Sequence, residues 1–279
     1  MLKFRYIPVL LFSFLLISGC TSRDNENRIK ITGSDTMVIL GQAWAERFLE
    51  LHDDKTVSVT GGGSGVGITA IIEGGADIAQ ASRDMKPSEI EKAKAMGVNP
   101  VKTIVAYDGI AIIVNPDNPV EQLTVEQAGA ILKGDVRNWR EVGGKDEPIG
   151  IYSRESSSGT YEFIKEFVLK KSDFAPGAKY SSGNAAIVES VSQDKTGIGY
   201  VGVAYAKTRN DVKILKIVKE SGGEGYLPSK ENVKSGKYPI SRSLNFYTNG
   251  EPKGTAKEFI DFVNGKEGKS ITEELGYFG

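Results

Sequence analysis

The sequence predicts an α/β fold in which helices pack on sheets, and three observations carry that reading. Strand-like alternation and helix-like spacing take turns along the chain from residue 28 onward, the pattern of strand–loop–helix units. Glycine is abundant, 33 of 279 residues, and gathers in short clusters at the joints between those segments, where a backbone without Cβ can approach a neighbour or a ligand closely. No Pro- or Ser-rich linker interrupts the pattern, so any lobes must be joined by ordered segments.

The elements follow in order. Arg28 to Thr32 alternates like a half-buried strand, and Thr36 to Leu51 carries Trp44, Phe48 and Leu51 at helical spacing. Thr56 to Thr60 alternates again, Gly61 to Gly67 is a glycine cluster, and Ile68 to Glu73 begins a helix. Asp77 to Ala81 reads as a strand, and Pro87 opens a helix to Met96, as Pro does at a first helical position. Val101 to Val105 and Ile110 to Val114 are separate β-branched runs. Thr124 to Leu132 is helical and Pro148 to Tyr152 is a strand. A polar loop from Ser153 to Gly159 then leads into a helix from Thr160 to Leu169. Ala185 to Ser192 is helical, Gly197 to Val203 and Val212 to Val218 are strands, and Gly222 to Gly225 is a loop. Leu244 to Tyr247 alternates, and Thr255 to Val263 is a closing helix.

Composition narrows the function. Thirty-five basic residues face 36 acidic ones without long like-charge runs, so the basic footprint of a nucleic-acid binder is missing. One cysteine and one histidine exclude an internal disulfide and a Cys/His zinc cluster. The cysteine has a telling place. Lys3 and Arg5 precede an apolar run from Ile7 to Ile17, broken only by Pro8 and Ser13, which exits through Ser18-Gly19-Cys20. This is a secretory leader over residues 1–19, too short for an ordinary spanning helix. Its exit resembles a bacterial lipobox, in which Cys20 becomes the lipidated first residue of the mature protein. Acyl chains at about 0.8 kcal/mol per buried CH₂ would hold it on a membrane. Residues 20–27 read as a polar tether.

One loop type recurs three times. Gly33-Ser34-Asp35-Thr36, Gly61-Gly62-Gly63-Ser64-Gly65 and Arg154-Glu155-Ser156-Ser157-Ser158-Gly159-Thr160 each follow a strand and open a helix. A helix start presents unpaired N–H groups and a positive dipole end; Ser or Thr adds a hydroxyl, and Gly permits close approach. Each hydroxyl could serve only as an N-cap. Three such loops in one chain, one with an arginine, point to an oxyanion site. Other motifs carry less. Gly65-Val66-Gly67-Ile68-Thr69-Ala70 fits a dinucleotide fingerprint only loosely, and Gly268-Lys269-Ser270 lacks the P-loop glycine because position 263 is Val263. His52 lies in a polar helix exit and reads as solvated, and no G-x-S-x-G elbow is present.

The loops resemble those of the substrate-binding proteins of phosphate ABC transporters. The marks are Thr32-Gly33-Ser34-Asp35-Thr36, Gly62-Gly63-Ser64-Gly65-Val66-Gly67, Ala81-Ser82-Arg83, Arg154 through Ser158-Gly159-Thr160, Gly183-Asn184-Ala185, and Gly197-Ile198-Gly199-Tyr200-Val201. The resemblance spans residues 28 to 279 and implies a two-lobed periplasmic binding protein of type 2 with a ligand cleft. One lobe would hold residues 28–108 and 242–279, the other 109–241, with crossings near 105–114 and 236–245. It implies phosphate contacts from Ser34, Thr36 and the Met37 amide, from Ser64, and from Ser82, Arg83 and Asp84. Arg154, Ser158 and the Gly159 and Thr160 amides would complete the site.

The family commonly has an aspartate directly after Ala-Ser, which takes the proton of hydrogen phosphate and repels sulfate. Arg83 stands there instead. Asp84 is the first candidate for that acceptor, with Asp35 and Asp108 behind it. Arg83 either meets the anion or pairs with Asp84. The expected protein is an exported, lipid-anchored monomer without cofactor, on the outer face of the cell membrane or in the periplasm. It would deliver inorganic phosphate to ABC permease subunits and catalyse no reaction. Receptors for sulfate, molybdate or tungstate, a phosphate-ester hydrolase, and a lipoprotein that kept the fold but lost the ligand are the alternatives.

Overall fold

The structure is a computed structural model that describes residues 27–279. The leader, Cys20 and all of the tether but Asn27 lie outside the described residues. The chain runs β1 (Arg28–Gly33), a 3₁₀ turn (Asp35–Met37), α1 (Val38–Leu51), β2 (Thr56–Gly62), α2 (Ser64–Ile72), β3 (Ile78–Ala81), α3 (Pro87–Ala95) and β4 (Pro100–Val114). It continues through β5 (Gln122–Thr124), α4 (Val125–Lys133), β6 (Gly150–Arg154), α5 (Gly159–Phe163), a π-helical turn (Ile164–Val168), β7 (Lys179–Ser181), α6 (Asn184–Gln193) and β8 (Gly197–Gly202). It ends with β9 (Lys213–Ile214), β10 (Lys216–Val218), β11 (Gly225–Tyr226), α7 (Lys230–Lys234), β12 (Ser241–Asn249), α8 (Gly254–Asn264) and α9 (Lys266–Glu274).

The fold is α/β and two-lobed, as expected. The strands line up β2-β1-β3-β12-β4-β8-β6-β7, with β9 also pairing β4, and β11-β10-β5 form a small second sheet. Strand β1 pairs β2 and β3 in parallel, and β6 pairs β7 and β8 in parallel. Such pairs need crossovers, which the helices supply. Between these parallel halves lie antiparallel β12 and β4. Residues 100–109 of β4 pair with β12, and residues 110–114 pair with β8.

Each half has its own core. Ile31, Leu40, Trp44, Phe48, Phe246 and Phe259 pack together on one side, and Ile112, Leu132, Trp139, Ile198, Tyr200 and Tyr238 on the other. Trp44 and Phe48 are fully buried, each contributing on the order of 1.5–3 kcal/mol by leaving water. The Trp44 indole also donates to the Gly268 carbonyl at 2.9 Å, which fixes α9 against α1. Local chemistry sets the helix ends. Thr124 and Gln127 form a capping box at α4, and Gly134 closes that helix in the left-handed region at φ 80°.

Several elements differ from the sequence reading. The two runs 101–105 and 110–114 are one fifteen-residue strand, because β12 pairs along the intervening polar stretch and buries Asp108. The run 212–218 splits into β9 and β10, which join different sheets. The helix after Gly159 tightens to one α turn and then widens into a π turn. Leu51 is exposed rather than packed with Trp44 and Phe48. His52 is half-buried, stacked on Phe48 at 4.2 Å between ring centroids.

Candidate functional site

The three loops converge where the two cores meet. Strand β1 ends at Gly33, with φ 141°, where a Cβ would lie 2.2 Å from the Gln80 carbonyl oxygen; only glycine fits. The chain then turns through Ser34 and Thr36, both 1% exposed. Strand β2 ends in Gly62, and α2 begins at Ser64 with its side chain buried. Strand β6 delivers Arg154, and Ser158 caps α5 by accepting from the Thr160 and Tyr161 amides at 3.2 and 3.4 Å. That leaves the Ser158 O–H to donate. The lobes touch directly. The Gly65 amide donates to the Ser157 carbonyl at 3.0 Å, and Lys86 pairs with Glu162 at 2.8 Å. A Cβ on Gly159 would lie 2.3 Å from Ser64 Oγ and 2.7 Å from Ser82 Oγ.

Hydroxyls cluster at this junction. Ser34 Oγ donates to Ser82 Oγ at 2.8 Å, Ser64 Oγ lies 3.3 Å from Ser82 Oγ, and the Ser82 amide donates to Ser64 Oγ at 3.0 Å. Thr36 Oγ1 and Thr160 Oγ1 bond at 2.9 Å. Arg154 is 1% exposed. Its Nη2 donates to the Ser182 carbonyl at 2.7 Å, its backbone amide donates to the Tyr200 hydroxyl at 3.2 Å, and Nη1 lies 3.4 Å from Asp35 Oδ2. Arg154 Nε and Nη1 are buried without a hydrogen-bond partner. Burial lowers the pKa of this guanidinium, and the Asp35 charge opposes that shift.

Sequence reasoning missed Arg242. It comes from β12, is buried, and donates through Nη2 to Asp108 Oδ2 at 3.1 Å, Thr160 Oγ1 at 2.9 Å and Thr36 Oγ1 at 3.3 Å. Burial lowers its pKa against the pull of Asp108. Asp108 is itself fully buried. Burial raises its pKa, while Arg242 and the Val203 amide at 3.3 Å work the other way. The only local sign of Arg242 in the sequence is a charge two residues ahead of the alternating run Leu244 to Tyr247. Asn184 was also missed as a site residue. Its amide and side chain both donate to Asp35 Oδ2, at 2.8 and 2.6 Å.

Of the residues expected at the site, the structure brings together Ser34, Thr36, Ser64, Ser82, Arg154, Ser158, Gly159 and Thr160. Met37 is adjacent, but its amide is taken by the Ser34 carbonyl at 3.0 Å. Arg83 and Asp84 are not brought to the cluster. Glu89 engages Arg83 through two hydrogen bonds of 2.8 and 2.7 Å. The Asp84 side chain is 70% exposed and pairs with Lys102 at 2.5 Å. The ion pair with Asp84, one of the two roles open to Arg83 in the sequence, does not form; Arg83 Nη1 donates to the Asp84 backbone carbonyl at 2.8 Å instead. They line a flanking cavity of about 400 Å³ with Lys86, Glu162 and Arg242. Asp35 is at the junction but committed to Asn184 and Arg154.

The arrangement is rich in donors. Buried hydroxyls and guanidinium N–H groups converge from both lobes, which suits a compact oxyanion. Among the described residues, no group of three His, Cys, Asp or Glu side chains is placed to hold a metal ion.

Comparison with known proteins agrees in fold and sequence. Residues 21–267 match the family described as PBP superfamily domain. The phosphate-binding protein PstS of Borreliella burgdorferi is 32% identical over 283 residues, covering 98% of this chain and 97% of that protein. The phosphate-binding protein PstS of Pseudomonas aeruginosa is 34% identical over 262 residues, 88% of this chain and 80% of that protein. Among solved structures, one from Clostridium perfringens, described as a phosphate ABC transporter substrate-binding protein with bound phosphate, superposes with a TM-score of 0.81. It is 33% identical and covers 90% of this chain and 99% of that one.

Proposed function

The chain belongs to the phosphate-binding PstS family of the PBP superfamily, and on that premise we propose that it captures inorganic phosphate between its lobes and delivers it to an ABC permease. The observation that carries the reading is Arg154. Its side chain is sealed from water, with Nε and Nη1 lacking hydrogen-bond partners and only the Asp35 carboxylate at 3.4 Å from Nη1, beside hydroxyls from both lobes. A buried unpaired donor costs about 1–3 kcal/mol; a tetrahedral oxyanion held there would accept from it and remove that cost. No bond-breaking step belongs to this reading.

The finer assignments are part of the proposal. One lobe comprises residues 28–108 and 242–279, and the other 109–241, a division that the two separate cores support. The phosphate ligands are Ser34, Thr36, Ser64, Ser82, Arg154, Ser158, Gly159 and Thr160. Asp108, buried beside Thr36 and Thr160 through Arg242, takes the ligand's proton in place of Asp84. The mature protein is an exported monomer, anchored through lipid on Cys20. No helix among the described residues is long and apolar enough to cross a membrane, so the lipid would be the anchor.

The test is calorimetric titration of ligand-stripped protein with phosphate, sulfate and molybdate. Phosphate binding in preference to both is expected. No binding, or a preference for sulfate or molybdate, overturns the reading.

A further inference from the structure

Strands β4 and β12 carry the sheet from one lobe to the other, and Asp108 and Arg242 face each other directly in their register. Arg242 is therefore mounted on the hinge. Its Nη2 alone serves Asp108, Thr36 and Thr160, and a nitrogen with two hydrogens cannot satisfy three acceptors at once. Nε and Nη1 are buried without partners. The Phe163 ring lies 5.9 Å from the guanidinium carbon and covers one face of the fork. A residue that only neutralised Asp108 would need a single N–H. The rest of this planar fork is desolvated, and no group among the described residues accepts a hydrogen bond from it.

Thr36 moves with one lobe and Thr160 with the other, yet both touch this one nitrogen. Any anion that meets both hydroxyls lies within reach of the same fork. We propose that Arg242 is a direct ligand of the bound tetrahedral dianion, holding it from the hinge while Arg154 and the helix-start loops hold it from the lobes. This rests on the phosphate reading above. Asp108 fixes the plane of the fork. The pairs Arg154–Asp35 and Arg242–Asp108 leave the empty site near neutrality, so neither lobe closes against uncompensated charge.

The competing account is that Arg242 merely offsets the buried Asp108 charge, and a background without that charge separates the two. Phosphate affinity is measured by calorimetry for the parent, for Asp108→Asn, and for Asp108→Asn combined with Arg242→Gln. Thermal melts report whether each is folded. A direct ligand role predicts that adding Arg242→Gln to Asp108→Asn weakens phosphate binding more than tenfold. A loss of less than tenfold overturns the proposal, because with no carboxylate left to offset, a merely neutralising arginine is dispensable. Should the double variant fail to fold, Arg242→Lys decides. It keeps the charge beside Asp108 and loses the fork, so binding weakened more than threefold supports the role, and any smaller change overturns it. A parent that binds no phosphate overturns this proposal together with the functional reading, whereas a parent that binds it leaves the comparison to judge Arg242 alone.

Discussion

The hydroxyls of Thr36 and Thr160 meet at 2.9 Å across 124 residues of sequence, and their chain neighbours Met37 and Tyr161 pack with different cores. Two short side chains cannot bridge a gap between lobes, so this contact requires that the lobes be closed on each other. Ligand preference for that closed state is what shifts the population of open and closed forms.

Loss of Arg154 is expected to weaken phosphate binding without unfolding the protein. Arg154→Ala should cost about 2–5 kcal/mol of binding, on the scale of truncating a buried hydrogen-bonded charge. Calorimetry and a thermal melt check this, and an unchanged affinity removes Arg154 from the site.

Selectivity should follow Asp108 and not Asp84. Discrimination against sulfate needs a buried acceptor that a sulfate oxygen meets lone pair to lone pair, a mismatch worth about 1–3 kcal/mol or more. Asp108→Asn should therefore erode the phosphate-over-sulfate preference by about tenfold or more, and Asp84→Asn, on an exposed carboxylate, should leave it intact. Competition between the two anions on both variants provides the measurement; a lost preference in Asp84→Asn would restore that residue to the site.

Gly159→Ala should obstruct closure more than folding. The added Cβ meets Ser64 and Ser82 of the opposite lobe at 2.3 and 2.7 Å, and overpacking of this kind costs about 1–3 kcal/mol. That cost falls on the closed state. Small-angle scattering with saturating phosphate should show a larger radius for the variant than for the parent, with similar melting temperatures without ligand.

Glu89 predicts a pH-dependent stability difference. Burial tends to raise its pKa, but hydrogen bonds from Arg83 and the Lys86 amide hold it below the ordinary value. A lowered carboxylate contributes stability above its unfolded pKa of about 4.3, and loses it as pH falls through the folded value. Glu89→Gln should destabilise by about 1–3 kcal/mol near neutrality, with the gap to the parent closing in acid. Urea unfolding across the acid range checks this, and a gap independent of pH would refute it.

On the proposed lipid anchor, Cys20→Ser should move the protein from the membrane to the soluble fraction. Fractionation after leader cleavage decides, and continued sedimentation with membranes would remove the lipid anchor from the proposal.

Legibility followed sequence distance. Ser34, Ser64 and Ser158 could be singled out in the sequence because glycine, hydroxyl and helix start sit within a few residues of one another, and that chemistry is local. Arg242 could not, because its acceptors Asp108, Thr36 and Thr160 lie 134, 206 and 82 residues away. Asp84 misled for a related reason. It follows the buried Ser82 closely in sequence, but its side chain points out to Lys102. The same effect hid the continuity of β4. Tyr107-Asp108-Gly109 reads as a break until β12 supplies a charge opposite Asp108.

Strand β12 lies between β3 and β4, at the middle of the sheet, yet it is the last strand along the chain. During synthesis the first hundred residues emerge without the piece that joins their two edges, and that piece arrives more than 125 residues later. Contacts of such long range make assembly slow. For the exported protein proposed above, which would be threaded through a membrane before it folds, that delay would keep the leading segment unable to complete its structure, and so fit for passage, until nearly the whole chain has been made.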